Sequence, residues 1–293
     1  MSITDMSSTD FRHPAKFKRV RARQGRKLTI VIGIALGIGA LVTAFPFIWM
    51  IASSVKPQRE SVTYPPSIIS AHPTLHYFQQ LFTELDFGRY LLNTIAVVLI
   101  GFIGMLFMAM AGYGFAKFEF RGKKSMFFLV LATMMIPIQV TMIPTYLILS
   151  HIKLTNTLVG IAIPTLVSGF NIFLFRQFMS TMPAEILEAA KLDGAGEWRT
   201  FWKIVIPMST PILAVQAVLT FIAGWNSFLW PLIIANDQNL YTLSVGLSLL
   251  NKQISVNPSL QMAAASLMVV PILFVFIIFQ RFIVQGFALS GLK

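Results

Sequence analysis

Apolar residues in this chain are gathered into long blocks; they do not recur as the one-sided stripe of a water-facing helix. Six blocks stand out, approximately at 28–51, 90–115, 125–149, 158–175, 210–235 and 260–279. Each is close to the roughly 20 residues a helix needs to cross the hydrocarbon core of a bilayer. The pattern predicts an all-α membrane protein with six transmembrane helices. The polar interval after the first block is nearly forty residues long. Its Pro65-Pro66, Pro73 and aromatic residues predict an extended loop, with one short helix over 77–82 lying on the membrane surface. Phe45-Pro46-Phe47-Ile48-Trp49-Met50 is expected to close the first span, and Gly33 and Gly37 stand within it at the spacing that permits close helix packing. Pro137, Pro144 and Pro164, with Gly169 nearby, interrupt the third and fourth blocks. Proline frees a backbone carbonyl and kinks a membrane helix.

Composition agrees with the pattern. Hydrophobic residues make up 56% and charged residues 12%, about half the charged share of a soluble domain, which argues against a water-soluble globule. The charges are also distributed unevenly. Of 23 Lys and Arg, 18 fall before the first block, between the second and third, between the fourth and fifth, or after the sixth. The positive-inside rule then places both termini in the cytoplasm. The net charge of +12 reads as topology signal and contact with anionic membrane lipid, not as a nucleic-acid surface. The basic arm at 16–23 lies just before the first span, as that reading requires. The first apolar run starts near residue 28 and is too long for a cleavable signal peptide. Cysteine is absent, so disulfide and thiolate chemistry are excluded.

Chemistry inside the blocks is sparse. No ionisable side chain lies deep in any of them, which argues against a proton-driven antiporter. The candidates for a translocation path are the amides Asn93, Gln139, Asn171, Gln216 and Asn226; hydrogen bonding between helices is the competing reading for each. No clustered acid, base or nucleophile suggests an enzyme. His72 and His76 have Pro73 between them and no acidic neighbour, so no metal site is expected.

The segment 177–209 is different. Ser180 or Thr181 is expected to cap a helix starting near Pro183. Ile186, Leu187 and Ala190 would share its apolar face beside Glu185 and Glu188, while Ala189 and Ala190 keep its surface low. Asp193-Gly194-Ala195-Gly196 would end it through a left-handed glycine. A second helix would carry Trp198, Phe201, Trp202 and Val205 as a stripe packed on the first helix or the bundle base. An interfacial hairpin remains open as an alternative. A DNA-binding helix-turn-helix does not fit, because the acidic residues balance the basic ones.

Glu188-Ala189-Ala190, three residues, Gly194, nine residues and Ile204-Val205-Ile206-Pro207 resemble the cytoplasmic loop of permease subunits from binding-protein-dependent ABC importers. Leucine is the more usual residue where Ile206 stands. The segments at 45–56, 89–94 and 280–286 resemble the carbohydrate-uptake branch, in particular the smaller permease of maltose-type systems. The resemblance covers nearly everything from Leu28 to Lys293 and implies a type I importer fold. It divides the chain into a basic segment 1–27 and a permease domain 28–293 with its coupling loop at 177–209.

The resemblance also implies a place in the bacterial inner membrane, a second permease, two ATPase subunits and an extracytoplasmic solute-binding protein. ATP and magnesium would be held by the ATPases and no cofactor by this chain. Glu188, Ala189, Ala190, Asp193, Gly194, Ile204 and Pro207 would couple ATP-driven closure to alternating access, with a sugar or oligosaccharide as cargo. Consistent with borrowed energy, there is no phosphate-binding loop: Gly122-Lys123-Lys124-Ser125 lacks the preceding glycine and the required order. The alternatives are a non-neutral solute, such as an acidic oligosaccharide or a glycerophosphate, and a stand-alone secondary transporter.

Overall fold

The structure, a computed structural model, describes residues 15–253 and 257–290, with side chains over 28–250 and 257–281. The chain separates into two units, Met1–Met50 and Ile51–Lys293. Only backbone is described for 15–27, so the basic arm's side chains, like those of the tail motif beyond Arg281, lie outside the described residues.

Helix α1 spans Ala15–Ser54. It passes through Pro46 and does not close there, because a helix in lipid keeps every bond that the proline leaves intact. Among the described residues, a methyl group at Gly33 or Gly37 would meet nothing within 4 Å.

In the larger unit, short helices α2 (Gln58–Ser61) and α3 (His76–Thr83) precede α4 (Phe87–Lys117). Helix α3 covers the short helix expected over 77–82, and its Tyr77 and Leu81 are buried in a core with Leu260, Ala263 and Ala264. The expected third span is two helices, α5 (Lys123–Met134) and α6 (Ile138–His151), bent by 105° at Pro137. The fourth is α7 (Leu158–Ala162), a 3-10 turn (Ile163–Thr165) and α8 (Gly169–Ser180), bent by 41°. The loop segment forms α9 (Ala184–Leu192), α10 (Glu197–Thr200), a π-helical turn (Phe201–Val205) and α11 (Ile206–Met208). Helices α12 (Thr210–Trp225) and α13 (Leu229–Ile234) form the fifth span. Helix α14 (Leu243–Gln253) leads to α15 (Pro258–Ser290). Among the described residues, four segments are long and apolar enough to span a membrane, and each bent pair supplies one more.

Helix α4 is the spine of this unit. Its middle lies so close to the segment entering α8 that a methyl group at Gly104 would stand 2.5 Å from Leu166 Cα, and one at Gly112 would stand 2.4 Å from Phe175 Cβ. In lipid, water-driven burial does not hold helices together, so small residues that let backbones touch supply the van der Waals contact. Around this seam Met105, Met108, Ala109, Phe175 and Met179 form one buried cluster. The many apolar side chains left exposed on α5 and α6, among them Phe128, Leu129 and Ile143, suit a hydrocarbon solvent.

Opposite ends of α4 are tied to loops. At its start Asn93 Nδ2 donates to the carbonyls of Asn239 (2.8 Å) and Tyr241 (3.0 Å). At its end Lys117 Nζ donates to Met182 O at 2.6 Å, just ahead of α9. The long loop after α1 is organised by the Glu60 carboxylate, which accepts from Ser70 Oγ (2.7 Å), Ala71 N (3.1 Å) and His72 N (3.2 Å). The Ser70 hydroxyl first, with the two backbone donors, holds the Glu60 carboxyl below its ordinary pKa.

Two tests follow from these contacts. Gly104→Ala forces the α4–α8 backbones apart and is expected to lower stability by about 1–3 kcal/mol. Gly114→Ala, which meets nothing within 4 Å, leaves it unchanged or slightly raised; thermal unfolding of the two variants in detergent makes the comparison. Because the folded pKa of Glu60 is lowered, its stabilising contribution exists above the unfolded carboxylate pKa and is lost as pH falls through the folded one. The protection factors of the Ala71 and His72 amides against hydrogen exchange should therefore fall on acidification, and Glu60→Gln should lower them already at neutral pH.

Candidate functional site

Two regions collect the candidate residues. The first is the loop α9–α11. Neither Ser180 nor Thr181 caps α9: their hydroxyls donate back to Gln177 O and Phe178 O at 2.8 Å each, and Pro183 takes the cap position without a side-chain bond. Serine and threonine hydroxyls at a helix end compete for its free carbonyls, and here the end of α8 wins over the start of α9. The other end matches the expectation. Gly194 has φ +75, Gly194 N donates to Lys191 O at 3.0 Å, and Ala195 N donates to Ala190 O at 2.9 Å. This is the paired arrangement of a Schellman cap. Lys191 and Glu197 form an ion pair at 3.1 Å across that turn.

Leu187 and Ala190 are buried, whereas Ile186, Glu188, Ala189, Leu192 and Asp193 are exposed. Ile186 is thus not on the buried face, and α9 shows its surroundings a mixed surface of low relief. The aromatic stripe divides as well. Phe201 and Val205 are buried, with Phe201 5.6 Å from the Tyr113 ring, but Trp198 and Trp202 are 63% and 43% exposed.

The second helix of the loop is not continuous, and Pro207 explains why. Proline has no N–H to give Lys203 O, and its ring crowds that carbonyl in an α-helix. The chain widens to a π-turn, with Ile206 N donating to Phe201 O, and the α-helical spacing resumes at Ile206. Ile204 is half-buried and Pro207 exposed. Single π-turns inside helices are frequent at functional sites.

The second region is a cleft of about 420 Å³ among α4, α6, the entry to α8, α12 and Trp230. This is within the range of ligand sites. Of the five amides singled out, Asn171 lines it. Gln216 is fully buried behind, and its Nε2 donates to Asn171 O at 3.0 Å while its Oε1 has no partner. Asn93 is committed to the carbonyls named above. Gln139 and Asn226 are exposed and are not among the residues lining the cleft.

The polar lining is mainly hydroxyl, which a search for amides overlooks: Thr141 and Thr145 one turn apart on α6, Thr165 and Ser168 at the bend, Thr220 on α12, and Ser227. The spacing of Thr141 and Thr145 was a signal available in the sequence. Threonine on a membrane helix is ordinarily read as satisfied by its own backbone, which conceals it. None of the lining residues is charged. Thr220 Oγ1 is buried and has no hydrogen-bond partner, a state costing about 1–3 kcal/mol. Trp230 Nε1 donates to Gly160 O at 3.2 Å, so the indole adds only apolar surface. Among the described residues no group of three His, Cys, Asp or Glu is placed to hold a metal.

Comparison with known proteins agrees with this architecture. Residues 108–288 match the model of the family described as the binding-protein-dependent transport system inner membrane component. The arabinooligosaccharides transport system permease protein of Halalkalibacterium halodurans is 32% identical, over 92% of this chain and 99% of its own. The sn-glycerol-3-phosphate transport system permease protein of Yersinia pestis is 33% identical, over 89% and 96%. The lactose transport system permease protein of Rhizobium radiobacter is 31% identical, over 86% and 92%. A bacterial ABC transporter involved in the import of the acidic polysaccharide alginate has a chain of the same fold. Its TM-score is 0.77 at 23% identity, covering 89% of this chain and 98% of that one. The chain is therefore a multi-pass permease of the ABC importer fold, and it belongs to the inner membrane components of binding-protein-dependent transport systems.

Proposed function

We propose that this chain is one permease of a pair in an ATP-driven importer of a sugar or oligosaccharide, working by alternating access. The observation that supports this best is the pairing of an uncharged, hydroxyl-lined cleft with an exposed, rigidly capped helix α9 at one end of α4. Relatives named for arabinooligosaccharide and lactose transport point the same way. A sugar carries many hydroxyls and no charge, and a cleft without Lys, Arg or His meets it without stranding an ion in a low-dielectric site.

In this reading, α9 docks on a cytoplasmic ATPase through the exposed Glu188, Ala189 and Asp193, while Ala190, expected beside them, is buried and serves on the inner face. Ala189 lets the partner approach closely, Glu188 offers a charge, and Gly194 sets the turn that keeps α9 in place. Two ATPases hold ATP and magnesium; this chain supplies neither the phosphate loop nor the hydrolysis. Lys117, bonded to Met182 O, together with buried Leu187 and Ala190, fixes α9 to the end of α4. Displacement of α9 is thereby passed to the α4–α8 pair, which forms one wall of the cleft. Ile204 and Pro207 set the π-turn joining the loop to α12, the adjoining wall. A second permease completes the path, and an extracytoplasmic binding protein delivers the solute.

A phosphate ester is the competing cargo, because one relative is named for glycerol 3-phosphate transport. The uncharged cleft disfavours it on this subunit.

Purification of the complex tests the docking role. Glu188→Lys is expected to leave membrane insertion intact and to reduce copurification of the ATPase and substrate-stimulated ATP hydrolysis at least tenfold, as loss of a charge pair worth about 1.5–3 kcal/mol implies. Gly194→Val, a β-branched residue forced to φ +75, carries about 1–2 kcal/mol of strain and should weaken docking likewise. Normal assembly and normal stimulated hydrolysis in both variants would contradict the assignment.

A further inference from the structure

We infer that the cleft among α4, α6, α8 and α12 is itself a substrate subsite on this subunit, selective for an uncharged sugar unit over an anionic one, with Thr220 and Asn171 as specificity-determining residues. This rests on the importer reading above and goes beyond it, since that reading would stand if the partner permease held the solute alone.

The direction of the hydrogen bonds carries the argument. A threonine or serine hydroxyl has one donor and two acceptor lone pairs. Thr141 Oγ1 donates to Ile138 O at 2.9 Å, and Thr165 Oγ1 donates to Ala162 O at 2.7 Å. Both donors are thus committed to the helix backbone, and what these hydroxyls retain is acceptor capacity. Ser168 Oγ accepts from Asn171 N at 3.4 Å, and no Lys, Arg or His lines the cleft. The cleft therefore offers hydroxyl acceptors together with a few neutral donors, and no cation. A sugar brings hydroxyl donors to such a surface, and its C–H faces suit the apolar remainder, which includes Trp230. Phosphate and carboxylate groups carry a net charge, and in this cleft they would find neutral hydrogen-bonding groups without a compensating cation.

Thr220 is the exception that points to a ligand. It lines the cleft, is 7% exposed, and its hydroxyl makes no bond at all. A helical threonine ordinarily bonds a carbonyl of its preceding turn, as Thr141 does. The Thr220 proton is uncommitted, and a rotation about χ1 presents it to a group in the cleft. The Asn171 side chain, which also lines the cleft, adds an amide donor from α8.

The test uses the complete transporter, with its second permease, ATPases and binding protein, in proteoliposomes. Uptake of lactose and arabinotriose is compared with uptake of sn-glycerol 3-phosphate, for the native chain, Thr220→Val and Asn171→Leu. Size-exclusion chromatography establishes that each variant has assembled. A neutral saccharide is expected to be carried in preference to the phosphate ester, and each substitution should slow its uptake about threefold to tenfold, the effect of one hydrogen bond. A second readout comes from the absence of cysteine in the chain. Thr145→Cys puts a single thiol in the cleft, and the carried saccharide should slow its labelling by N-ethylmaleimide on the 32.7 kDa subunit.

Preferred uptake of the phosphate ester overturns the inference and leaves the importer reading intact. So does unchanged saccharide uptake in both variants with unprotected labelling of Thr145→Cys. Movement of these solutes without ATP, by a chain that copurifies no ATPase, removes the importer reading and this inference with it.

Discussion

The contact between the backbones of α4 and α8 at Gly104 and Gly112 governs the arrangement of everything else. Where lipid is the solvent on both sides of a helix, burying another leucine gains little. Proximity of backbones therefore does what a hydrophobic core does in water. At Gly104 the neighbour is main chain, so no side-chain adjustment can make room for a methyl group. Gly101, one turn earlier, lines the cleft. Tyr113 and Lys117, immediately beyond Gly112, hold the π-turn and the entry to α9. One helix thus carries the cleft at its middle and the loop proposed for docking at its end.

This arrangement explains why the cleft and the loop belong to a single device. Helix α9 is too short to persist in water by itself; it exists because Leu187 and Ala190 are buried, a Schellman cap closes its end, and Lys117 grips the carbonyl just before it. Its exposed face is left free of those duties. The cleft, in contrast, retains a polar atom without a partner at Thr220 Oγ1, and buried Gln216 Oε1 outside its lining is in the same state. Buried polar atoms ordinarily have partners, and these two lie along α12, which packs directly against α4 at Gly101 and Gly224.

Much of this was legible from residue pattern. The apolar blocks at 90–115, 210–235 and 260–279 correspond to long helices because continuous apolarity over that length has few other solutions. The loop's turn was legible because only glycine is comfortable at φ +75. Harder to read were the places where two local rules compete. Pro46 and Pro137 present the same residue in similar apolar surroundings, yet α1 continues through the first and the chain turns by 105° at the second. The difference depends on what packs around each, which periodicity does not encode. Ser180 and Thr181 had two sets of backbone partners within reach and took the carbonyls. Among candidate path residues, amides attract notice because they are rare in apolar blocks. Three of the five nevertheless fall outside the cleft lining and a fourth lies behind it, while the threonines that line the cleft resemble ordinary helix residues.

In the proposed mechanism, ATP binding by the partner ATPases displaces α9 and thereby moves the walls of the cleft through α4. Because the chain has no cysteine, spin labels at Thr141→Cys and Leu219→Cys report the separation across the cleft, and a second pair at Lys191→Cys and Gly114→Cys reports α9 against α4. Pulsed dipolar spectroscopy on the assembled transporter, with and without ATP, measures both. The account predicts that ATP changes the separation across the cleft and leaves the α9–α4 separation fixed. A constant cleft, or an α9 that moves away from α4 while the cleft stays still, would contradict it.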